Sequence, residues 1–455
     1  MSVDVNGDGD VNGDVNGETF AQLTTTTTTT TRFAQPTNAS RIESPTTASG
    51  FAPSPRPRAG LILPSMQLPA RVVNAETARA RFPRRADELF DALFEMDPLA
   101  DACAEAIARA REHAERWIAD GCAGRTSPDA PPAVRAYFEA AGQIPSWVDW
   151  DRVDRAGKLF FRSGPAGGIT LGAKSLVGGY CSPGGNKPLA FSGALEGQVS
   201  RRLAETGRFV VATNTPGALR PGGDAWAITL RVRLMHATVR RLLLRSGRWK
   251  SELWGAPINQ HDMAATSLLF SVVFLSGIRD FGVPVSRAEA EDYVHAWRLS
   301  GWLMGVRDEL LPWTEAEGLA LGELIQLTQG PVDDDGRRLV DALLESPRGT
   351  LQGRAGGAQL ERWQIELGRG FCRALVGDAL ADELQLPKTA WRFAVPAVRL
   401  GVGVARRLLP ASLRDPERFE ARGRRYWERN VEVGLQGLPA RFALPTGLAG
   451  RHAPA

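Results

Sequence analysis

His236 is the residue of this sequence whose type and position best suit metal ligation. In the segment 225–245, apolar residues recur at three- and four-residue spacing, which is typical of one buried stripe on a helix. At about 100° per residue, His236 falls at the edge of that stripe, beside Val232 and Val239. One imidazole in such a position suits haem, because the porphyrin supplies the four other nitrogens that bind the iron. A histidine that only packs in the core is the alternative.

A second group of polar side chains precedes His236 along the chain. Arg202, Glu205 and Thr206 are spaced i, i+3 and i+4, so a helix places them on one face, toward a pocket or toward an exposed salt bridge. At about 1.5 Å per residue, Thr206 lies about 12 Å before the end of its helix and His236 about 18 Å after the start of its own. In an antiparallel hairpin these groups would therefore have similar heights, with a flat macrocycle possible between them.

The remaining histidines and the cysteines offer no metal cluster. His113 and His452 are predicted to be solvated, His261 to have a surface or capping role, and His295 to be a core histidine. The four cysteines include no CxxC pair and no pair at metal-ligand spacing. This pattern excludes a disulfide scaffold, a zinc ribbon and a multi-histidine centre, and it predicts reduced thiols.

Composition and patterning limit the domain organisation and the partners. Lys and Arg total 55 against 51 Asp and Glu, a net charge of +4, which predicts no nucleic-acid partner. Residues 1–71 are low in complexity and are predicted to form a disordered tail, followed by one folded domain at 72–440 and a flexible tail at 441–455. The N-terminus shows no export signal, which predicts a cytoplasmic protein. The uncharged stretch 263–278 is too short to span a membrane and predicts a buried core helix.

Helical periodicity dominates the sequence from residue 75 onward, and no alternating strand pattern of useful length occurs. The sequence therefore predicts an all-α fold built as a single large multi-helix domain. In such a chain, with no other cluster of metal ligands, haem is the leading cofactor hypothesis. The predicted helices span roughly residues 85–119, 129–142, 149–161, 194–213, 225–245, 262–281, 287–305, 314–328, 334–346, 357–383, 389–408 and 414–431.

Five motifs, in this order, make the chain resemble the MpaB/rubber-oxygenase family, whose best-known members are the latex clearing proteins. They cover about 170 residues, the core of the folded region. The motifs are IPSWVDWDRVDRAGKLFF (144–161), RRLAET (201–206), RVRLMHA (231–237), GAPINQHDMAAT (255–266) and YVHAWRLSGWLMGVRDELLP (293–312).

The resemblance implies an all-α protein with a globin-like core that binds haem b. It assigns His236 as the proximal iron ligand, and it places Arg202 and Thr206 on the distal side. Characterised members use dioxygen to cleave a carbon–carbon double bond in isoprenoid chains, which gives two carbonyl products. Asn259 and Gln260, in another of the motifs, are predicted to pack or to make buried hydrogen bonds that fix helix ends.

One position departs from the family pattern. Latex clearing proteins have a lysine before the distal threonine, and this chain has Glu205 there. An ionised carboxylate cannot donate a hydrogen bond to dioxygen, but it could act as a base, ligate the iron or pair with Arg202. Glu205 is therefore a catalytic candidate together with Arg202 and Thr206.

The glutamate and the absent export signal favour a substrate smaller than a solid polymer. The function predicted on these grounds is a haem-dependent oxygenase, most consistent with dioxygenase-type cleavage, that acts on a hydrophobic alkene such as a terpenoid or a polyketide side chain. Two alternatives remain. One is a haem protein that binds or senses a gas without turnover, and the other is a helical protein without a cofactor.

Overall fold

The computed structural model describes residues 67–192, 199–408, 410, 415–440 and 442–448. The predicted tails at 1–71 and 441–455 thus lie largely outside the described residues. Just before residue 72, however, the chain already takes part in the fold. The backbone N–H of Ala70 donates to the carbonyl of Glu252 at 3.0 Å.

Regular secondary structure in the described residues is helical, apart from an isolated bridge between Val72 and Gln329, so the predicted all-α class is confirmed. The N-terminal helices are α1 Ala75–Arg81, α2 Arg85–Asp91, α3 Pro98–Arg109, α4 Arg111–Cys122 and α5 Pro132–Gly142. They are followed by α6 Trp150–Thr170, α7 Val177–Tyr180, α8 Lys187–Ser192, α9 Val199–Thr213 and α10 Asp224–Arg245, with a π-helix at Leu171–Leu176.

The second half of the chain continues in the same way, with two 3₁₀ turns at Asp308–Leu310 and Ala390–Phe393. Its middle helices are α11 Ser251–Trp254, α12 Gln260–Phe270, α13 Val272–Asp280, α14 Arg287–Leu303 and α15 Glu315–Thr328. The last are α16 Asp334–Leu344, α17 Gly357–Val376, α18 Asp378–Glu383, α19 Ala394–Leu408 and α20 Pro416–Leu435.

The predicted helix at 85–119 is divided into α2, α3 and α4. The side chain of Asp97 accepts a hydrogen bond from the backbone N–H of Ala100 at 3.2 Å, so Asp97 caps α3. Pro98 occupies the first helical position, where its missing N–H costs nothing. These two residues begin a new helix inside a segment whose apolar periodicity is continuous.

Helix α6 runs beyond its predicted end at residue 161 and bends at Gly164, whose φ is 48°. Pro165 follows, so the bend lies where a proline would otherwise clash with the preceding turn. On α20, a Cβ at Gly423 would lie 1.6 Å from the carbonyl oxygen of Phe161. Glycine at this position therefore allows α20 to pack directly on α6.

The long apolar segment predicted as one helix forms two, because the chain breaks at Ser271 with φ −103° and ψ −93°. Within the described residues, Gln260–Asp280 is the one segment long and apolar enough to cross a membrane, with a mean hydropathy of 1.4. Half of it is buried inside the protein. Core helices have the same properties, so this is weak evidence for a membrane span.

Two ion pairs join α10 to α3. Arg233 donates to both carboxylate oxygens of Asp97, at 2.6 and 2.9 Å, and to the carbonyl of Leu303 at the end of α14, at 3.2 Å. Two turns further along α10, Arg240 donates to Asp101 at 2.7 Å. Burial by itself would raise the pKa of Asp97, but the charge and hydrogen bonds of Arg233 hold it below its ordinary value.

Replacing Asp97 by asparagine should lower the free energy of unfolding by about 3–5 kcal/mol, because Arg233 would remain buried without a counter-ion. The pKa of Asp97 is lower in the folded chain than in the unfolded chain. Its contribution is therefore complete above the unfolded-state pKa near 4 and is lost as the pH falls through the lower folded-state pKa. Urea denaturation at neutral and at acidic pH measures both effects.

The control for this variant is Asp129→Asn, which removes a carboxylate that pairs with Arg116 on the protein surface. Exposed pairs contribute little, so this control should change the stability far less than Asp97→Asn. Equal losses from the two variants would show that the Asp97–Arg233 pair is no more important than a surface contact.

Candidate functional site

Helices α9 and α10 are consecutive, and residues 214–223 connect them. Arg208 of α9 forms an ion pair with Asp224 at the start of α10. A cavity of about 1000 Å³ is lined by Arg208 and Val211 of α9 and by residues from 224–231 of α10, so these two segments lie near each other. If the helices run antiparallel, counting equal numbers of residues along each from this contact brings His236 to about the level of Leu203. The similar height of His236 and the predicted distal residues stays a prediction from helix geometry.

The His236 side chain has a buried nitrogen without a partner. Its Nδ1 makes no hydrogen bond within the described part of the chain, although part of the ring surface is accessible. Val232 and Val239, on the same face of α10, are also partly exposed, whereas Leu234 on the opposite face is fully buried. Desolvation lowers the pKa of His236 to about 4, and the charge of Arg240 acts in the same direction. At neutral pH the imidazole is therefore neutral, which is the form that ligates metals.

The predicted distal residues have different partners in the structure. The hydroxyl of Thr206 donates to the carbonyl of Arg202 in the preceding turn, at 3.0 Å. Glu205 pairs with Arg201 at 3.4 Å, so the suggested pairing with Arg202 is not formed. The reason is helical geometry, since Arg201 and Glu205 are i, i+4 neighbours on α9. The Arg202 side chain is exposed.

A cluster of aromatic side chains adjoins the face of α9 that carries Thr206. No motif in the sequence had singled it out. Phe209 is one turn after Thr206, and its ring centroid lies 6.3 Å from that of Phe270 and 6.1 Å from that of Trp297. Trp297 stacks on Phe270 at 5.0 Å, with the ring planes 9° apart. The one sequence signal for this position is the i, i+3 spacing of Thr206 and Phe209, which puts both residues on the same face of α9. These three rings pack together as part of the hydrophobic core beside α9.

The other histidines do not compete for a ligand role. His295 is buried, and its Nε2 accepts a hydrogen bond from the backbone N–H of Asp149 at 3.0 Å, so the predicted core role is confirmed. His113 is exposed, as predicted, and His452 lies outside the described residues. The four cysteines are buried and form no disulfide, and no group of three or more potential metal ligands occurs in the described ranges.

The prediction of a surface or capping role for His261 is wrong. Its side chain is 7% exposed, and its Nδ1 lies 3.0 Å from a carboxylate oxygen of Asp262, which also pairs with Arg71 at 2.9 Å. Asn259 is the residue that caps α12, because its side chain accepts from the backbone N–H of Asp262. Gln260 donates to the carbonyls of Met96, just before α3, and Gly305, just after α14, and it accepts from the backbone N–H of Arg307 in that second segment. The predicted role in fixing helix ends is therefore confirmed for both amides.

Comparison with known proteins agrees with this architecture. A family model described as "ER-bound oxygenase mpaB/B'/Rubber oxygenase, catalytic domain" matches residues 150–407, more than half of the chain. The rubber oxygenase of Streptomyces sp. (strain K30) is 30% identical over 188 residues, which are 40% of this chain and 46% of that protein. The chain thus matches about half the length of that relative.

A solved structure of the latex clearing protein LCP in its closed state has the same fold. It superposes with a TM-score of 0.59 at 23% identity, and the match covers 80% of this chain and 94% of that one. The residues matched by the family model include α9, α10 and α14, and with them Arg202, Thr206 and His236. The chain belongs to the MpaB/rubber-oxygenase family and contains the catalytic domain that defines it.

Proposed function

We propose that this protein binds one haem b through His236 and uses dioxygen to oxidise or cleave a double bond in a hydrophobic substrate. The observation that carries the proposal is the neutral His236 imidazole, whose buried Nδ1 has no hydrogen-bond partner among the residues that the structure describes. A metal ligand requires such an unused nitrogen lone pair, so the residues present fit the group. When bound, haem supplies an iron that binds and activates dioxygen.

The side chains of α9 define what the protein itself contributes. The hydroxyl of Thr206 is held by a carbonyl of its own helix, so a rotation about one bond lets it donate to a polar ligand in the pocket. Arg202 supplies a fixed positive charge, which would stabilise negative charge that develops during oxygen chemistry. Glu205 has its charge balanced by Arg201, which supports a role in orienting that arginine more than a role as a base or an iron ligand.

The aromatic cluster of Phe209, Phe270 and Trp297 beside α9 supports a hydrophobic substrate. A pocket that opens against these rings would exclude water and would offer few groups to orient a polar molecule. The related rubber oxygenase takes its name from a polymer. For this chain we propose a smaller isoprenoid or polyketide substrate, on the basis of Glu205.

Oxygen uptake with a panel of alkenes tests the reaction. The protein reconstituted with haem should consume dioxygen with a terpenoid or a similar alkene, and carbonyl products should form in proportion to the oxygen consumed. If haem binds but no alkene supports oxygen uptake, the protein binds or senses a gas instead.

His236→Ala should abolish stoichiometric haem binding, because no second ligand replaces the imidazole. The purified wild-type protein should show a Soret band and a pyridine haemochromogen of the b type, with about one haem per chain. His295→Gln is the matched control, since it alters another buried histidine and keeps a hydrogen-bond acceptor. If His236→Ala retains the wild-type spectrum, the ligand has been assigned to the wrong residue.

Thr206→Val should leave the haem content unchanged and lower oxygen-dependent turnover roughly a hundredfold, as expected for the loss of one well-placed hydrogen-bond donor. Thr215→Val is the control, because Thr215 makes the same bond to the carbonyl four residues earlier, at 2.8 Å, but lies beyond the last turn of α9. Steady-state rates and absorption spectra of the two variants separate the effects. Equal rates in both would remove Thr206 from the reaction.

A further inference from the structure

Helix α19 turns its apolar face toward solvent. The exposed fractions of its large apolar side chains are 42% for Val398, 70% for Leu400, 45% for Val404 and 78% for Leu408. At about 100° per residue, these side chains share one uncharged arc of roughly 160° with the small residues between them. The small residues in the arc are Ala397, Gly401 and Ala405.

The opposite side of α19 holds the helix on the protein. Val395 is 5% exposed and belongs to the core that α17 shares with its neighbours. Arg399 and Val402 lie against Gly282, where a Cβ would meet both residues at 3.5 Å. The aliphatic stem of Arg399 therefore packs on the protein, although the residue as a whole is exposed, and Leu400 and Leu408 lie outside. A helix that only covers a core keeps its leucines on the protein side.

The sequence around α19 is strongly basic. Between Glu383 and Asp415 there is no acidic residue. Two exposed aromatic side chains lie immediately before the helix, Trp391 at 37% and Phe393 at 58%. The basic residues of this segment are Lys388, Arg392, Arg399, Arg406, Arg407 and Arg414.

We propose that α19 is an interfacial helix that binds the surface of an anionic phospholipid bilayer. An exposed apolar arc, aromatic residues at one end and uniformly positive charge are the features of helices that lie in the plane of a membrane. The apolar arc would enter the boundary between headgroups and acyl chains, and exposed basic side chains of the segment such as Arg392 would reach the lipid phosphates. With 15 residues, α19 is too short to span the membrane.

Charge decides between a membrane and a second copy of the chain as the occupant of this face. Two copies of α19 packed against each other would bring two basic segments together, with no acidic residue between Glu383 and Asp415 to offset the repulsion. An anionic bilayer complements both the charge and the apolar arc. The proposal is independent of haem binding, because none of its residues belongs to the site on α9 and α10.

Sedimentation of the full-length protein with vesicles tests the proposal. Vesicles of phosphatidylcholine containing one third phosphatidylglycerol should carry the protein into the pellet, and added salt should release it. Vesicles of phosphatidylcholine alone should bind it much less. The double variant Leu400→Asp/Val404→Asp should bind at least about tenfold more weakly, since two apolar side chains leave the bilayer.

Leu319→Asp is the matched control, because Leu319 is 46% exposed on α15, outside the arc. It should bind the vesicles as the wild type does.

Leu400→Ser alone, a milder change at a solvent-facing position, should show the same trend as the double variant. Circular dichroism should verify that all variants are folded. Wild-type binding by the double variant, or no binding to phosphatidylglycerol vesicles, would overturn the proposal. So would a wild-type dimer, seen by light scattering, that the double variant loses, because the face would then belong to a second copy.

Discussion

The buried ion pair of Arg233 and Asp97 fixes the helix on which the candidate site depends. Both carboxylate oxygens are engaged, and the same guanidinium binds the Leu303 carbonyl at the end of α14. Rotation of α10 would separate these charges inside the protein, where water cannot replace the lost partner. His236 is three residues after Arg233, nearly one helical turn. The direction of its ring is therefore set by an electrostatic contact on a neighbouring face of the helix.

This arrangement places a neutral imidazole beside two buried ion pairs, and desolvation is the main reason that it stays neutral. The charge of Arg240 adds to that effect, whereas Asp97 acts against it and does not prevail. On α9, Glu205 is held by Arg201, while the Thr206 hydroxyl and the Phe209 ring lie on the adjacent face. The candidate site thus offers an unpartnered nitrogen, one adjustable donor and a neighbouring aromatic cluster. The proposed oxygen chemistry on a hydrophobic molecule would use these groups.

Helix α19 differs from the other helices in the direction of its apolar residues. Elsewhere in the described residues, apolar stripes pack against neighbouring helices, and the close approach of α20 to α6 at Gly423 shows how tightly. On α19, Leu400 and Leu408 face water. A hydrophobic substrate dissolves in membranes, so an oxygenase that rests on a bilayer would meet its substrate where that substrate is concentrated. The two proposals have separate evidence, and they are compatible in function.

Local sequence determined the helical class and the candidate ligand, because helical periodicity and the i, i+4 spacing involve residues close in the chain. His236 could be chosen from its position on one apolar stripe, without knowledge of any partner. The partners themselves could not be predicted. His261 is buried because Asp262 pairs with Arg71, a contact across 191 residues that no local pattern encodes. Tertiary structure decided these contacts because they depend on which distant segments the chain brings together, and on the charges that become buried when it does.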